Sequence, residues 1–193
     1  FTNKEETVYH AAVLKDNIDR AVDLLTDIVF HSTYPQAEID KEVEVIVDEI
    51  ESYNDSPAEL VYDLFENAIY KGHSLGHNIL GTAEQLRTYT TEDALRFTRR
   101  YYRPDNSVFF AYGDVDFGKV VRLLERANAV AADSSQQQSS AESPAIDVNK
   151  EKSAMSLPPY VAQHINHHMD THLAHVMLGN RAYDVHDNRR IAL

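Results

Sequence analysis

Apolar residues recur at helical spacing through most of the first 130 positions. Ile18, Val22, Leu25 and Val29 form one stripe of an amphipathic helix over residues 18–30, with Asp16 as a candidate cap. A second stripe, Ile39, Val43, Ile46, Val47, Ile50 and Tyr53, predicts a longer helix that Pro35 opens in its first turn and the run Asn54-Asp55-Ser56-Pro57 closes. Ser56, Pro57 and Glu59 read as a capping box with proline at the first helical position, ahead of a helix over residues 60–70. Thr90 with Asp93 repeats that signal before residues 92–102, and residues 117–127 carry the last helical pattern. Other segments read as strands. Residues 6–14 are rich in β-branched and aromatic side chains, residues 107–114 are a nearly continuous apolar run after a turn at 103–106, and residues 161–183 read as two strands joined at Met169, Asp170 and Thr171. Strands and helices in runs, rather than in strict alternation, predict an α+β fold: a mostly antiparallel sheet with helices packed on one face.

Residues 129–157 change character. Ser, Gln, Ala and Asp dominate there, so the segment buries too little apolar surface to offset its ordering entropy and is expected to be a linker or surface excursion. It divides the chain into residues 1–128, most of a first α/β unit, and residues 158–193, the start of a second. Hydrophobic residues make up 43% of the sequence, enough for a packed core. The 31 acidic against 18 basic residues, a net charge of −13, argue against nucleic acid as a partner and would steer a basic peptide toward the chain. No apolar run is long enough to span a bilayer, and the absence of cysteine removes disulfides and thiolate metal sites from consideration.

The candidate chemistry lies on the second helix. Glu42 and Glu49 are seven residues apart, nearly two turns, so both point the same way from one edge of the apolar stripe, with Ile46 between them. Their separation of roughly 10 Å along the axis lets only one of them touch a given metal ion. Two histidine groups compete as metal ligands. His73 and His77 stand four apart, but in a glycine-interrupted loop over residues 71–82 that reads as a structural turn. His164, His167, His168, His172 and His175 occupy the late strand pair, where alternation splits them between two faces, so they read as structural or adventitious.

Five stretches in order carry a family likeness: FTNKEETVYHAAVL, KEVEVIVDEIE, NDSPAELVYDLFENAIYKGHSLGHNILGT, YYRPDNSVFFAYGDVD and DTHLAHVMLGNRAYDVHDNRRIAL. Together they resemble the inverted-motif zinc metallopeptidases, the family of pitrilysin, insulin-degrading enzyme and the mitochondrial processing peptidase, and look closest to its bacterial processing-peptidase-like members. The resemblance implies a zinc endopeptidase acting on peptides or unfolded segments, with Glu49 as a zinc ligand and Glu42 supporting the site from behind. It also implies substrate pairing as an extended strand near Phe1, Thr2 and Asn3, and a parent that works as a homodimer or heterodimer. The family's His-x-x-Glu-His motif does not occur in these residues. The chain is therefore expected to be an internal fragment, a metallopeptidase-like unit truncated at both ends, holding one of three zinc ligands, with weak or no zinc binding and no activity alone. A bacterial cytoplasm or periplasm is expected ahead of an organelle. Within the same family the alternative is a non-catalytic partner or structural subunit; an unrelated acidic globular domain is the blandest reading.

Overall fold

A helix satisfies its backbone amides from within, whereas a strand needs a neighbour, and this difference decides which expected elements form. In the computed structural model, which describes residues 1–135, 157–184 and 186–192, the chain runs through α1 (Ile18–His31), α2 (Gln36–Asn54), α3 (Pro57–Ile69), α4 (Ala83–Leu86), α5 (Thr91–Tyr101) and α6 (Phe117–Ser135). Short 3-10 turns stand at Lys15–Asn17, Ser74–Gly76, Pro104–Asn106 and Asn188–Ala192.

The expected antiparallel sheet is not there: among the described residues no strand forms, and Thr2 and Thr7 are the only bridge residues. Residues 8–14, 107–112 and 172–183 lack regular secondary structure apart from a bend at His172 and Leu173. The physical reason is visible in the second of these. Val108 is 96% exposed, Phe110 81% and Tyr112 92%, so the apolar run meets neither a ladder partner nor a covering layer among the described residues. The expected hairpin at Met169–Thr171 reduces to one tight turn, with the Thr171 N–H donating to the Met169 carbonyl at 3.0 Å. Of the expected segment 129–157, residues 129–135 continue the backbone of α6, and residues 136–156 lie outside the described residues.

Two compact units result, each built from separated pieces of chain. The first takes in Phe1, residues 7–42 and the described residues from Thr88 to Ser135. Its core is the packing of α1 on α6, where Ala21, Val22 and Thr26 are buried on one helix and Val120 and Leu123 on the other. Thr26 is tolerated inside because its hydroxyl donates to the Val22 carbonyl four residues back at 2.7 Å. Ion pairs Lys119–Asp19 at 2.5 Å and Arg126–Asp23 at 3.3 Å run up the same seam, pairing later residues with later residues, so the two helices run in the same sense. The cap at Thr90 forms in full: its N–H donates to Asp93 Oδ2 at 3.0 Å and its hydroxyl oxygen accepts from the Asp93 N–H at 3.3 Å. The matching arrangement expected at Ser56 does not form, since its side chain makes no capping bond; proline at the first helical position survives as the start signal of α3.

The second unit comprises residues 2–6, 43–87 and the described residues of the C-terminal part. There α3 packs against the 3-10 turn Ser74–Gly76. Gly76 permits that approach, because a Cβ on it would lie 2.5 Å from the Tyr70 carbonyl oxygen.

Val22 is fully buried at the α1–α6 seam. Val22→Ala is expected to lower unfolding free energy by about 2 kcal/mol, two methyl groups plus a residual cavity. Leu24→Ala, on the exposed side of α1, should stay within about 0.5 kcal/mol. Urea denaturation with an unchanged slope checks both.

Candidate functional site

Helix α2 is fixed along its length by the stripe read from the sequence: Val43 and Val47 are buried, and Ile39, Ile46 and Ile50 half-buried. Tyr53, expected on that face, is exposed at 41%. At its start Gln36 donates to the Tyr89 carbonyl at 3.3 Å and accepts from the Thr91 N–H at 2.9 Å, which ties the first turn of α2 to the start of α5.

The stripe sorts the carboxylates of α2 into two edges. At about 100° per residue, Glu44 and Glu51 fall on one edge and Glu42 and Glu49 on the other. The first edge has a cation: the Arg87 guanidinium donates to both Glu44 oxygens at 3.3 Å, with Glu51 adding to the field that raises the Arg87 pKa. Glu42 and Glu49 are both exposed, and among the described residues neither side chain makes a hydrogen bond or ion pair. No group of three or more His, Asp or Glu side chains among the described residues is arranged to hold a metal ion. A catalytic zinc takes three protein ligands, and the unpaired carboxylates on this edge of α2 do not make such a set among the described residues.

Phe1, Thr2 and Asn3, the residues expected to pair with an extended peptide, sit in a tight local turn. Phe1 and Val8 exchange two main-chain bonds, the Phe1 amine to the Val8 carbonyl at 3.0 Å and the Val8 N–H to the Phe1 carbonyl at 2.8 Å. The Asn3 N–H donates to the Glu6 carbonyl at 2.9 Å, and its side-chain oxygen accepts from the N–H groups of Glu5 and Glu6. A peptide adding here would have to displace those bonds.

An open groove of about 470 Å³ adjoins this turn, lined by Asn3, Lys4, Glu5, Glu6, Glu66, Tyr70 and Leu75. Sequence reasoning passed over it, because Lys4 and Glu66 meet only through the fold. The Lys4 ammonium contacts Glu66 at 3.0 Å and donates to the His77 carbonyl. Nearby Asp63 has its pKa raised, by burial first; Lys4 opposes the shift and Glu66 adds to it. The groove holds charge but no nucleophile paired with a base.

The histidines behave as structural or solvent-facing groups. The His73 ring accepts from the Leu75 N–H at 3.2 Å and caps the Ser74–Gly76 turn. His164, His167, His168, His172 and His175 are exposed.

Comparison with known proteins adds the family context. Residues 1–83 match the sequence model of the insulinase family, peptidase family M16, and residues 88–193 match that of the peptidase M16 inactive domain. The chain is 41% identical over 115 residues to the uncharacterized zinc protease YmxG of Bacillus subtilis, a match covering 60% of this chain and 28% of that protein. It is 37% identical over 126 residues to an uncharacterized zinc protease of Rickettsia bellii, covering 65% of this chain and 31% of that protein. With the mitochondrial-processing peptidase subunit beta of Saccharomyces cerevisiae it shares 32% identity over 126 residues, 65% of this chain and 27% of that subunit. The matched stretch thus spans less than a third of each of these relatives.

Two measurements follow. Isothermal titration of the isolated chain with zinc is expected to show no tight one-to-one binding; a tight stoichiometric site would mean that residues other than those described complete a donor set. Because the folded state holds the Asp63 proton to higher pH than the unfolded chain does, stability falls as pH rises from the ordinary aspartate pKa through the raised value. Asp63→Asn should therefore gain stability over the parent chain at pH 7 and lose that advantage in acid, a trend read from paired urea titrations.

Proposed function

The chain belongs to peptidase family M16, a metallopeptidase family, and from that premise we propose that it is part of a zinc-dependent metalloendopeptidase in which Glu49 is one ligand of the metal. The observation that carries this reading is the free Glu49 carboxylate, solvent-facing on a helix whose register is fixed by buried Val43 and Val47. Bound zinc supplies a Lewis acid that activates water against a peptide carbonyl. The chain's own contribution is to hold one anionic oxygen ligand on a rigid element, which costs less on binding than ordering a loop carboxylate. The remaining donors belong to the whole protein rather than to the described residues. Glu42, roughly 10 Å back along the same edge, orients the site through hydrogen bonds and does not touch the metal. Its loss should cost about 10–100-fold in affinity or activity, the range for groups that support ligands.

The substrate is a peptide or unfolded segment bound in extended form, and the net charge of −13 favours basic ones. Phe1, Thr2 and Asn3 are its proposed main-chain contacts, reached once the local turn opens. The whole enzyme works as a homodimer or heterodimer; the yeast relative is itself named a subunit. No helix among the described residues is long and apolar enough to cross a membrane.

A second reading, a non-catalytic partner subunit, is favoured by the inactive-domain description of the family model that matches residues 88–193. Zinc content and peptide hydrolysis of the whole protein separate the two, comparing Glu49→Gln with Asp48→Asn as a control on the face opposite the buried stripe. Joint loss of zinc and hydrolysis in Glu49→Gln alone is the expected result. A parent with neither zinc nor activity would establish the partner subunit instead.

A further inference from the structure

At its base the late, histidine-bearing stretch meets the end of α3 through Arg181. Arg181 is half-buried, and its guanidinium donates to two carbonyls from different parts of the second unit. Nε reaches the Ile69 oxygen at 2.8 Å, with Nη2 donating to the same atom, and Nη1 reaches the Pro158 oxygen at 2.5 Å. The Ile69 oxygen is among the last carbonyls of α3, which have no partner inside the helix and sit at the negative end of its dipole, so a cation there is doubly favoured. The Tyr70 and Tyr160 rings approach the same guanidinium at 5.6 and 5.7 Å, one from each of the elements it joins.

Pro158 and Arg181 are 23 residues apart. Between them lie His164, His167, His168, His172 and His175, all exposed, in a segment without regular secondary structure apart from the turn and bends around Met169–Leu173. Gly179 stands two residues before the arginine, where a Cβ would lie 2.5 Å from Phe65 Cζ. The backbone at the returning end is therefore close against α3, where any larger residue at 179 would make the Phe65 ring shift.

We propose that Arg181 is the clasp of this loop: its forked guanidinium closes the base of residues 158–181 and docks that base on the C-terminal end of α3. Closing a loop of this length costs chain entropy, which local contacts within an exposed segment cannot offset. The offset comes from charge-assisted bonds to two carbonyls at once, a geometry that guanidinium meets and a single ammonium does not. The loop is thus a strap held at its base, with Gly179 against Phe65 beside the arginine, and its histidines are displayed as a group only while the clasp is shut.

The sequence contains no cysteine, so spin labels at Glu59→Cys on α3 and His172→Cys in the loop would be the only two in the molecule. Pulsed electron spin resonance should give a narrow distance distribution with Arg181 present. Arg181→Ala should broaden it roughly twofold or more, toward the spread of a free chain, while the helical circular dichroism signal is kept. If Arg181→Ala loses that signal, Arg181→Lys, which keeps the charge and loses the fork, becomes the deciding variant and should broaden the distribution in the same direction. A distribution already broad in the parent, or one that the deciding variant leaves unchanged, overturns the proposal.

Discussion

Whether a backbone amide can find its partner nearby decides almost everything about this chain. In α1, α2, α3, α5 and α6 each interior N–H meets a carbonyl four residues back, so these elements need only a stripe of apolar side chains to settle against something. In residues 107–112 the same amides would need another strand. The side chains there have the composition of a buried strand, yet Val108, Phe110 and Tyr112 stand in solvent. A strand is a relation between two segments, and one segment does not specify it.

That asymmetry explains what could be read from the sequence. The stripe Val43, Ile46, Val47 and Ile50 gave the buried face of α2 because helical burial follows from period alone. Ile18, Val22, Leu25 and Val29 did the same for α1, but its partner α6 was not legible, since nothing local links Val22 to Leu123. The expected sheet failed for the complementary reason. Periodicity showed which segments favour extended backbone and could not say that a partner would be present. Capping signals divide in a similar way: Thr90 and Asp93 close their box, whereas Ser56 and Glu59, with a comparable spacing, do not. Proline at the first position already fixes the backbone of α3, so that helix begins without the side-chain bond.

The candidate site was legible in another sense again. Spacing placed Glu42 and Glu49 on one edge of α2, but spacing cannot separate a ligand from a solvated acid; the expectation that Glu49 is the ligand came from the family resemblance alone. The Lys4–Glu66 contact and the Arg181 cluster were missed because they join residues 62 and 112 positions apart. No period or motif reports a contact of that kind.

What distinguishes Glu49 physically is the company kept by the other acids of its helix. Glu38 is bound to Lys41 at 2.8 Å, Asp40 accepts from Gln36, and Glu44 holds Arg87. Each of these carboxylates would have to give up a partner before taking a metal, and surface pairs, though weak, set an order of availability. Asp48 is also unengaged, but it lies opposite the buried stripe, farthest from the elements that α2 packs against among the described residues. Glu42 and Glu49 lie at one border between packed and open surface, as Glu44 and Glu51 do at the other, where a carboxylate is held by the core and still met from outside. Only Glu49 lies beyond the unit boundary that falls just after Glu42, so its position is set within the same unit as Val43 and Val47. A metal ligand requires this combination of a fixed backbone and an uncommitted oxygen. On α2 the apolar stripe supplies the first, and for the second Glu49 pairs with no cation among the described residues.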